Sequence, residues 1–199
     1  MASSEMQLLG FLLSLAGLGA TAVAACMVEW RRFDEGSGLL QQTYEGLWMT
    51  CTGQIGGRMT CESYESLFKL PIEIQATRSV MLLSIFLSGV ALMASTAGMK
   101  CTRFMDGNDR TKATVAMVGG IIFMISGVLT LAITSWYVQQ IIQSFFGSRH
   151  LTRYEFGNAV FVSWGGAVST LVGGAFLSCR RCSRSLLFRP SSTPGTDYV

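Results

Sequence analysis

Two cysteines, Cys51 and Cys61, are the residues whose type and spacing point most directly to chemistry. Apolar and aromatic residues precede the first, β-compatible residues surround the second, and Gly53, Gly56 and Gly57 lie between them, a pattern typical of a hairpin. A cysteine on each arm allows a disulfide, and closing so short a loop stabilises a fold by about 3 kcal/mol on a chain-entropy estimate. Because a disulfide needs an oxidising compartment, the spacing predicts that this segment lies outside the cell.

The other reactive side chains do not form a catalytic or metal-binding pattern. Cys179 and Cys182 have the spacing of half a zinc site without a second half, and the single histidine, His150, lies in a polar loop without ligand partners nearby. The sequence contains neither a glycine-rich phosphate loop nor a nucleophile placed beside a base. We therefore expect no enzymatic activity, no metal and no cofactor.

Four apolar runs must position these residues. Half of the 199 residues are hydrophobic, 14% are charged and the mean hydropathy is +0.42, which is typical of a membrane protein. Each run is long enough to cross a hydrocarbon core of about 30 Å as a helix. The first run is expected to remain in the mature protein as a membrane span. A cleaved signal peptide would have a basic region before it, and this run has none. The predicted spans are 7–28, 79–99, 113–137 and 156–178.

The charge of the connecting segments predicts the orientation. Segments 100–112 and 179–199 each carry four Lys or Arg residues, whereas 29–78 carries five against seven acids. The positive-inside rule places those two segments and residues 1–6 in the cytoplasm, and 29–78 and 138–155 outside. No charged residue lies within an apolar run, which argues against a transporter or proton relay. The net charge of +3 is too small to suggest nucleic acid as a partner.

The extracellular segments are expected to form a small sheet. Short strands are predicted around 31–33, 39–43, 47–51 and 59–62, with a fifth at 153–156. Such a sheet is marginal alone and needs the disulfide and the projecting helix ends beneath it. A short surface helix is predicted over 64–70, helix two from residue 72, and a continuation of helix three past residue 137 to Phe145. The tail from Cys179 is predicted to be disordered.

The order Trp30, Gly46-Leu47-Trp48, Cys51, Cys61 and Arg78 resembles the signature of the first extracellular loop of the claudins, the tetraspan proteins of tight junctions. The resemblance extends to Arg153-Tyr154-Glu155-Phe156-Gly157 and to the final Tyr198-Val199. It implies a four-helix transmembrane bundle carrying a small extracellular antiparallel β-sheet, α+β overall. Claudins polymerise into strands that seal or perforate the space between cells.

The resemblance also implies roles for residues of the first loop. Trp30 and Trp48 anchor the sheet on the bundle, with Arg78 as their polar partner, or are simply core aromatics. Glu62 faces the paracellular path and favours cations, or is a solvated charge on an edge strand. Arg58 lies close enough in sequence to neutralise it.

Other residues are expected to mediate assembly and adhesion. In claudins an apolar residue at the position of Leu67 docks beside paired aromatics on a neighbour's third helix, matched here by Phe145 and Phe146; the alternative is packing within its own chain. The second loop departs from the family, because it is short and basic and lacks the prolines that many claudins carry. This departure argues against the usual claudin contact with the opposing cell.

The cytoplasmic side offers modification and binding sites. Cys101, Cys179 and Cys182 lie at helix ends, where they are candidate acylation sites or inert thiols. Tyr198 and Val199 end the chain as a PDZ ligand does, with an apolar side chain and a free carboxylate. The expected partners are membrane lipid, copies of this chain and other claudins in cis and in trans, and cytoplasmic PDZ scaffolds at the tight junction of the plasma membrane. The alternative is a channel regulatory subunit or a myelin-type or epithelial tetraspan, which shares the Gly-Leu-Trp and cysteine pattern.

Overall fold

Four long helices and five short strands make up the fold. The computed structural model describes residues 2–35, 41–54, 57–64, 70–98, 109–147 and 153–187. The helices are α1 (Ala2–Cys26), α2 (Ile72–Gly98), α3 (Asp109–Gly147) and α4 (Asn158–Leu187). The strands are β1 (Arg31–Glu35), β2 (Gln41–Glu45), β3 (Met49–Gln54), β4 (Met59–Ser63) and β5 (Arg153–Phe156).

Each helix contains a stretch long and apolar enough to cross a membrane. These stretches are Glu5–Cys26, Ile72–Gly98, Thr114–Gln143 and Asn158–Ser178. Together with the small antiparallel sheet, they confirm the predicted fold class.

The helix ends differ from the bounds of the predicted spans. Helix α2 begins at Ile72 and α3 continues through Phe145 to Gly147, which confirms the predicted extension of both helices beyond their apolar runs. Helix α4 begins only at Asn158, because Phe156 is still paired in β5. It then continues to Leu187, where the sequence had predicted disorder from Cys179. No glycine or proline interrupts residues 179–187, so the backbone hydrogen bonding continues beyond the apolar stretch.

Small residues let the helices approach closely, in the spatial order α1, α4, α3, α2. A Cβ atom added to Gly17 of α1 would lie 2.6 Å from the carbonyl oxygen of Gly166 in α4. One added to Gly120 of α3 would lie 2.9 Å from the carbonyl oxygen of Gly174 in α4. Between α2 and α3, one added to Gly98 would lie 2.5 Å from the backbone nitrogen of Ala116.

Buried hydroxyls join the helices inside the bundle. Because the bilayer core offers no water, polar groups there must pair with one another. The Ser126 hydroxyl of α3 donates to the Ser84 carbonyl of α2 at 2.9 Å, and Thr134 of α3 pairs with Ser163 of α4 at 2.9 Å. We call the α2–α3 group the hydroxyl cluster; its members are Ser84, Ser88, Ser126 and Thr130.

The sheet has the order β4-β3-β2-β1-β5, and every pair is antiparallel. Strand β5, from the second loop, pairs with β1 from the first. Cys51 lies opposite Cys61 in the β3–β4 pair, and the two form the predicted disulfide. Strand β4 is one edge of the sheet, and all five of its residues are exposed.

Candidate functional site at the junction of sheet and bundle

Two tryptophans from the first loop complete the C-terminal end of α1. The last four carbonyls of a helix have no donor within it. The Trp30 indole Nε1 donates to the Ala24 carbonyl at 2.9 Å, and the Trp48 indole Nε1 donates to the Ala25 carbonyl at 2.8 Å. We call this pair of bonds the indole cap. It fastens the loop to the first helix at two adjacent carbonyls.

Trp30 lies at the centre of the junction and is fully buried. Its ring meets Tyr137 of α3 edge-on, with centroids 5.6 Å apart. Its backbone N–H donates to the Glu45 carbonyl at the end of β2, and its carbonyl accepts from the backbone N–H of Gly157, between β5 and α4. This one residue therefore contacts the end of α1, α3 and the segment that leads into α4.

Two glycines of the junction lie where backbones nearly touch. A Cβ atom on Gly46 would lie 2.7 Å from the Cα of Val28. One on Gly157 would lie 1.7 Å from the carbonyl oxygen of Glu29, which accepts a hydrogen bond from the backbone N–H of Ala159 at 3.1 Å. Both positions need a residue without a side chain because the backbone crosses so closely.

Arg78 of α2 closes the junction from the other side. It is only 6% exposed, and its Nε donates to the Leu47 carbonyl. Its guanidinium carbon lies 5.0 Å from the Trp48 ring centroid and 5.2 Å from that of Tyr64. Within the described part of the chain no carboxylate forms an ion pair with it, and its Nη2 has no hydrogen-bond partner. Two aromatic faces and one carbonyl therefore compensate the buried cation.

An acid and a phenol at the junction have perturbed pKa values. Burial raises the pKa of Glu45, the Arg31 guanidinium 3.7 Å away opposes this rise, and the charge of Glu73 adds to it. Burial also raises the pKa of Tyr64, against the hydrogen bond that its oxygen accepts from Thr50. The sequence reasoning missed these residues, because only the strand register brings Arg31 opposite Glu45.

Glu62 and Arg58 are both exposed, and the structure does not bring them together. Arg58 lies four residues before Glu62, about 13 Å along an extended chain, and no ion pair joins these two described residues. Glu62 lies opposite Thr50, which in turn lies opposite Glu45 in the β2–β3 pair. The two acids therefore share one face of the sheet.

The other predicted site residues lie near the ends of described helices or outside the described residues. Phe145 and Phe146 lie in the last turn of α3, and Cys179 and Cys182 lie in α4 beyond its apolar stretch. Outside the described residues are Leu67, with most of the predicted surface helix, and Cys101, His150, Tyr198 and Val199. Among the described residues, no three His, Cys, Asp or Glu side chains cluster in a way that could hold a metal ion.

The chain is similar to known proteins over its whole length. A model of the PMP-22/EMP/MP20/Claudin family matches residues 4–177. Claudin-1 of Rattus norvegicus is 39% identical over 212 aligned residues that cover all of both chains. Claudin-7 of Rattus norvegicus is 41% identical over 214, again covering both fully, and claudin-19 of Homo sapiens is 39% identical over 98% of this chain and 88% of its own. The chain therefore belongs to the claudins of the PMP-22/EMP/MP20/Claudin family.

Proposed function

We propose that this chain is a non-enzymatic tight-junction protein that assembles with copies of itself and with other claudins into strands, and controls the passage of ions and solutes between cells. The observation that carries this proposal is that the charged residues lie outside the apolar runs. The apolar runs contain no charged residue, while the sheet fixed above them presents exposed charges. Selection among ions thus falls to the surface of the sheet.

Glu62 is the residue to which we assign a preference for cations. It is exposed on the edge strand β4, in a loop segment with two more acids than bases, and no described basic side chain pairs with it. At an effective dielectric of about 20, a carboxylate attracts a cation about 4 Å away by about 4 kcal/mol before dehydration is counted. Screening by salt reduces this value, so the expected effect is a bias rather than exclusion of anions.

The test is the ratio of sodium to chloride permeability, from dilution potentials across epithelial layers without other pore-forming claudins. Glu62→Lys should move the ratio toward chloride, and Arg58→Gln should move it toward sodium. Glu155→Lys makes the same charge change at an exposed position on β5, the opposite edge strand, and is the matched control. If Glu62→Lys shifts the ratio no more than Glu155→Lys while strands persist, Glu62 is a solvated edge charge and the chain is a barrier.

The topology and contacts that this function requires are also part of the proposal. Both termini lie in the cytoplasm, where Tyr198 and Val199 bind a PDZ scaffold. Acylation of Cys101, Cys179 and Cys182 fastens the inner helix ends to the membrane. Leu67 makes the lateral contact to Phe145 and Phe146 of a neighbouring copy. Freeze-fracture of non-junctional cells expressing the chain should show continuous strands; their absence, with co-purification of a channel, would favour the regulatory-subunit alternative.

A further inference from the structure

Strand β4 forms an edge of the sheet, and no described strand pairs with its outer side. Cys51 and Cys61 lie opposite each other with Cα atoms 4.0 Å apart, the close spacing of an antiparallel pair that exchanges no backbone hydrogen bonds. The N–H and C=O groups of Cys61, and those of Met59 and Ser63 two residues away on either side, therefore point away from β3. An exposed edge of this kind is a template for another strand.

Opposite charges lie at equal distances from the middle of this edge. Arg58 directly precedes β4 and Glu62 is near its end, and both side chains are exposed. Thr60 lies two residues from each, so at the two-residue period of a strand all three side chains share one face. Between these two described charges no ion pair forms within the chain. The edge therefore presents one positive and one negative side chain to a partner.

A second copy of the same edge is complementary to it. When two β4 strands pair antiparallel about a two-fold axis at Thr60, Arg58 of each copy lies opposite Glu62 of the other. Met59 lies opposite Cys61 of the other copy, and their outward N–H and C=O groups exchange hydrogen bonds. Arg58 and Glu62 then form the pairs without backbone hydrogen bonds, in which side chains approach most closely. One pairing thus satisfies both the backbone groups and the charges of the edge.

The charges also select the register of this pairing. A two-fold axis at Glu62 would place two carboxylates opposite each other, and one at Arg58 would oppose two guanidinium groups. With the axis at Cys61, each Glu62 would lie opposite Thr60 of the other copy and gain no counter-charge. Opposite charges in cross-strand pairs stabilise a sheet, whereas like charges destabilise it. Pairing about Thr60 is therefore favoured over these neighbouring registers.

We infer that β4 is a self-recognition edge, where a second copy of this chain pairs antiparallel about Thr60 and its Arg58 compensates Glu62. The inference deepens the proposed function and rests on it, since it names a surface through which copies assemble. It joins the sheets of two copies into one continuous sheet. It also gives Arg58 a role in selection among ions, because the counter-charge that limits the attraction of Glu62 for cations comes from the other copy.

The first experiment tests the register by disulfide formation between copies. Two differently tagged full-length copies, one with Arg58→Cys and one with Glu62→Cys, are expressed together and separated by non-reducing electrophoresis. The new thiols would lie in directly opposite positions with Cα atoms about 4.5 Å apart, within the range of about 4.4–6.8 Å that a disulfide spans. A band that contains both tags and disappears on reduction should therefore form.

Each cysteine variant expressed alone is the matched control. In the inferred register two copies of position 58, or of position 62, lie about 14 Å apart along the strands, too far for a disulfide. Neither variant alone should form the band, and the wild type, which keeps the exposed Cys26, gives the background. A band from Glu62→Cys alone would place the axis at Glu62 and overturn the inference.

The second experiment exchanges the charges and measures co-purification of differently tagged copies in detergent. Arg58→Glu in both copies opposes carboxylates, and Glu62→Arg in both copies opposes guanidinium groups, so each combination should weaken association about tenfold. A copy with Arg58→Glu paired with a copy carrying Glu62→Arg restores two opposite-charge pairs and should return to the wild-type level. Glu155→Arg, on the opposite edge strand β5, should leave association unchanged.

The outcomes separate this inference from the proposed function. If wild-type copies do not co-purify, self-assembly fails and the pairing of β4 strands fails with it. If wild-type copies co-purify but the two cysteine variants form no mixed band, the inference is wrong and the proposed function stands. Association that is insensitive to the charge exchanges, or that does not recover in the mixed combination, would also overturn the inference.

Discussion

Replacing Gly157 by alanine is the sharpest test of how the second loop joins the first. This glycine separates β5 from α4, and its backbone N–H donates to the Trp30 carbonyl at 3.3 Å. An added methyl group would lie 1.7 Å from the Glu29 carbonyl oxygen, whereas ordinary contacts at a Cβ atom are 3.4–4 Å. The two backbones must therefore separate by at least about 1.7 Å, the difference between 1.7 Å and the shortest ordinary contact.

That separation would break two hydrogen bonds at once. They are the bond from Gly157 to Trp30 and the bond from Ala159 to Glu29. Each is worth about 1 kcal/mol net, and more when a buried partner stays unsatisfied, so the loss is about 2–4 kcal/mol. Restriction of the unfolded chain by alanine returns only about 0.4–1 kcal/mol. The substitution should therefore lower the unfolding temperature by roughly 5–10 °C for a chain of this size.

The assay is thermal unfolding of the purified protein in detergent, with Gly165→Ala as the control. Gly165 is an exposed helical position of α4 with no atom within 4 Å of an added Cβ. Alanine is preferred over glycine inside a helix by about 1 kcal/mol, so this variant should match or exceed the wild type. Equal unfolding temperatures for the two variants would show that the close approach of the loops does not limit stability.

Two further predictions concern the junction and the bundle. The raised pKa of Glu45 means that the folded state binds its proton more tightly than the unfolded chain, so stability should increase as the pH falls from neutral toward the ordinary pKa of a glutamate, 4.5. Glu45→Gln should flatten this dependence in unfolding scans from pH 7.5 to 5, whereas Glu62→Gln on the exposed edge should retain it. Ser126→Ala should cost about 1 kcal/mol by breaking the hydroxyl cluster, while Ser169→Ala, which removes a bond within α4, should be nearly neutral in the same unfolding assay.

The sequence predicted the helices, the strands and the disulfide because each depends on a local pattern. An uncharged run of 20 or more residues can hydrogen-bond all of its own backbone N–H and C=O groups inside a bilayer only as a helix. The pairing of Cys51 with Cys61 followed from the glycines between them. The end of α4 was missed because composition past Cys179 suggested disorder, whereas helical hydrogen bonding continues until something interrupts it.

The contacts at the junction could not be predicted in the same way. Nothing local marks Tyr64 as a partner of Arg78, since their contact depends on where β4 ends relative to α2. Likewise, only the strand register brings Arg31 opposite Glu45. Residues joined by strand register were overlooked, because their separation in sequence gives no sign of the contact.

The indole cap has a consequence for how the protein is made. Helix α1 enters the membrane first, yet the donors for two of its last carbonyls are Trp30 and Trp48, the second of them 23 residues downstream of its acceptor. The last turn of α1 is therefore complete only after the loop that carries both tryptophans has folded against it. A chain whose loop fails to fold loses the indole donor to the Ala25 carbonyl, and the Ala24 carbonyl keeps only the bond from the backbone N–H of Met27 at 3.2 Å. Folding of the first loop is thus coupled directly to completion of the first helix.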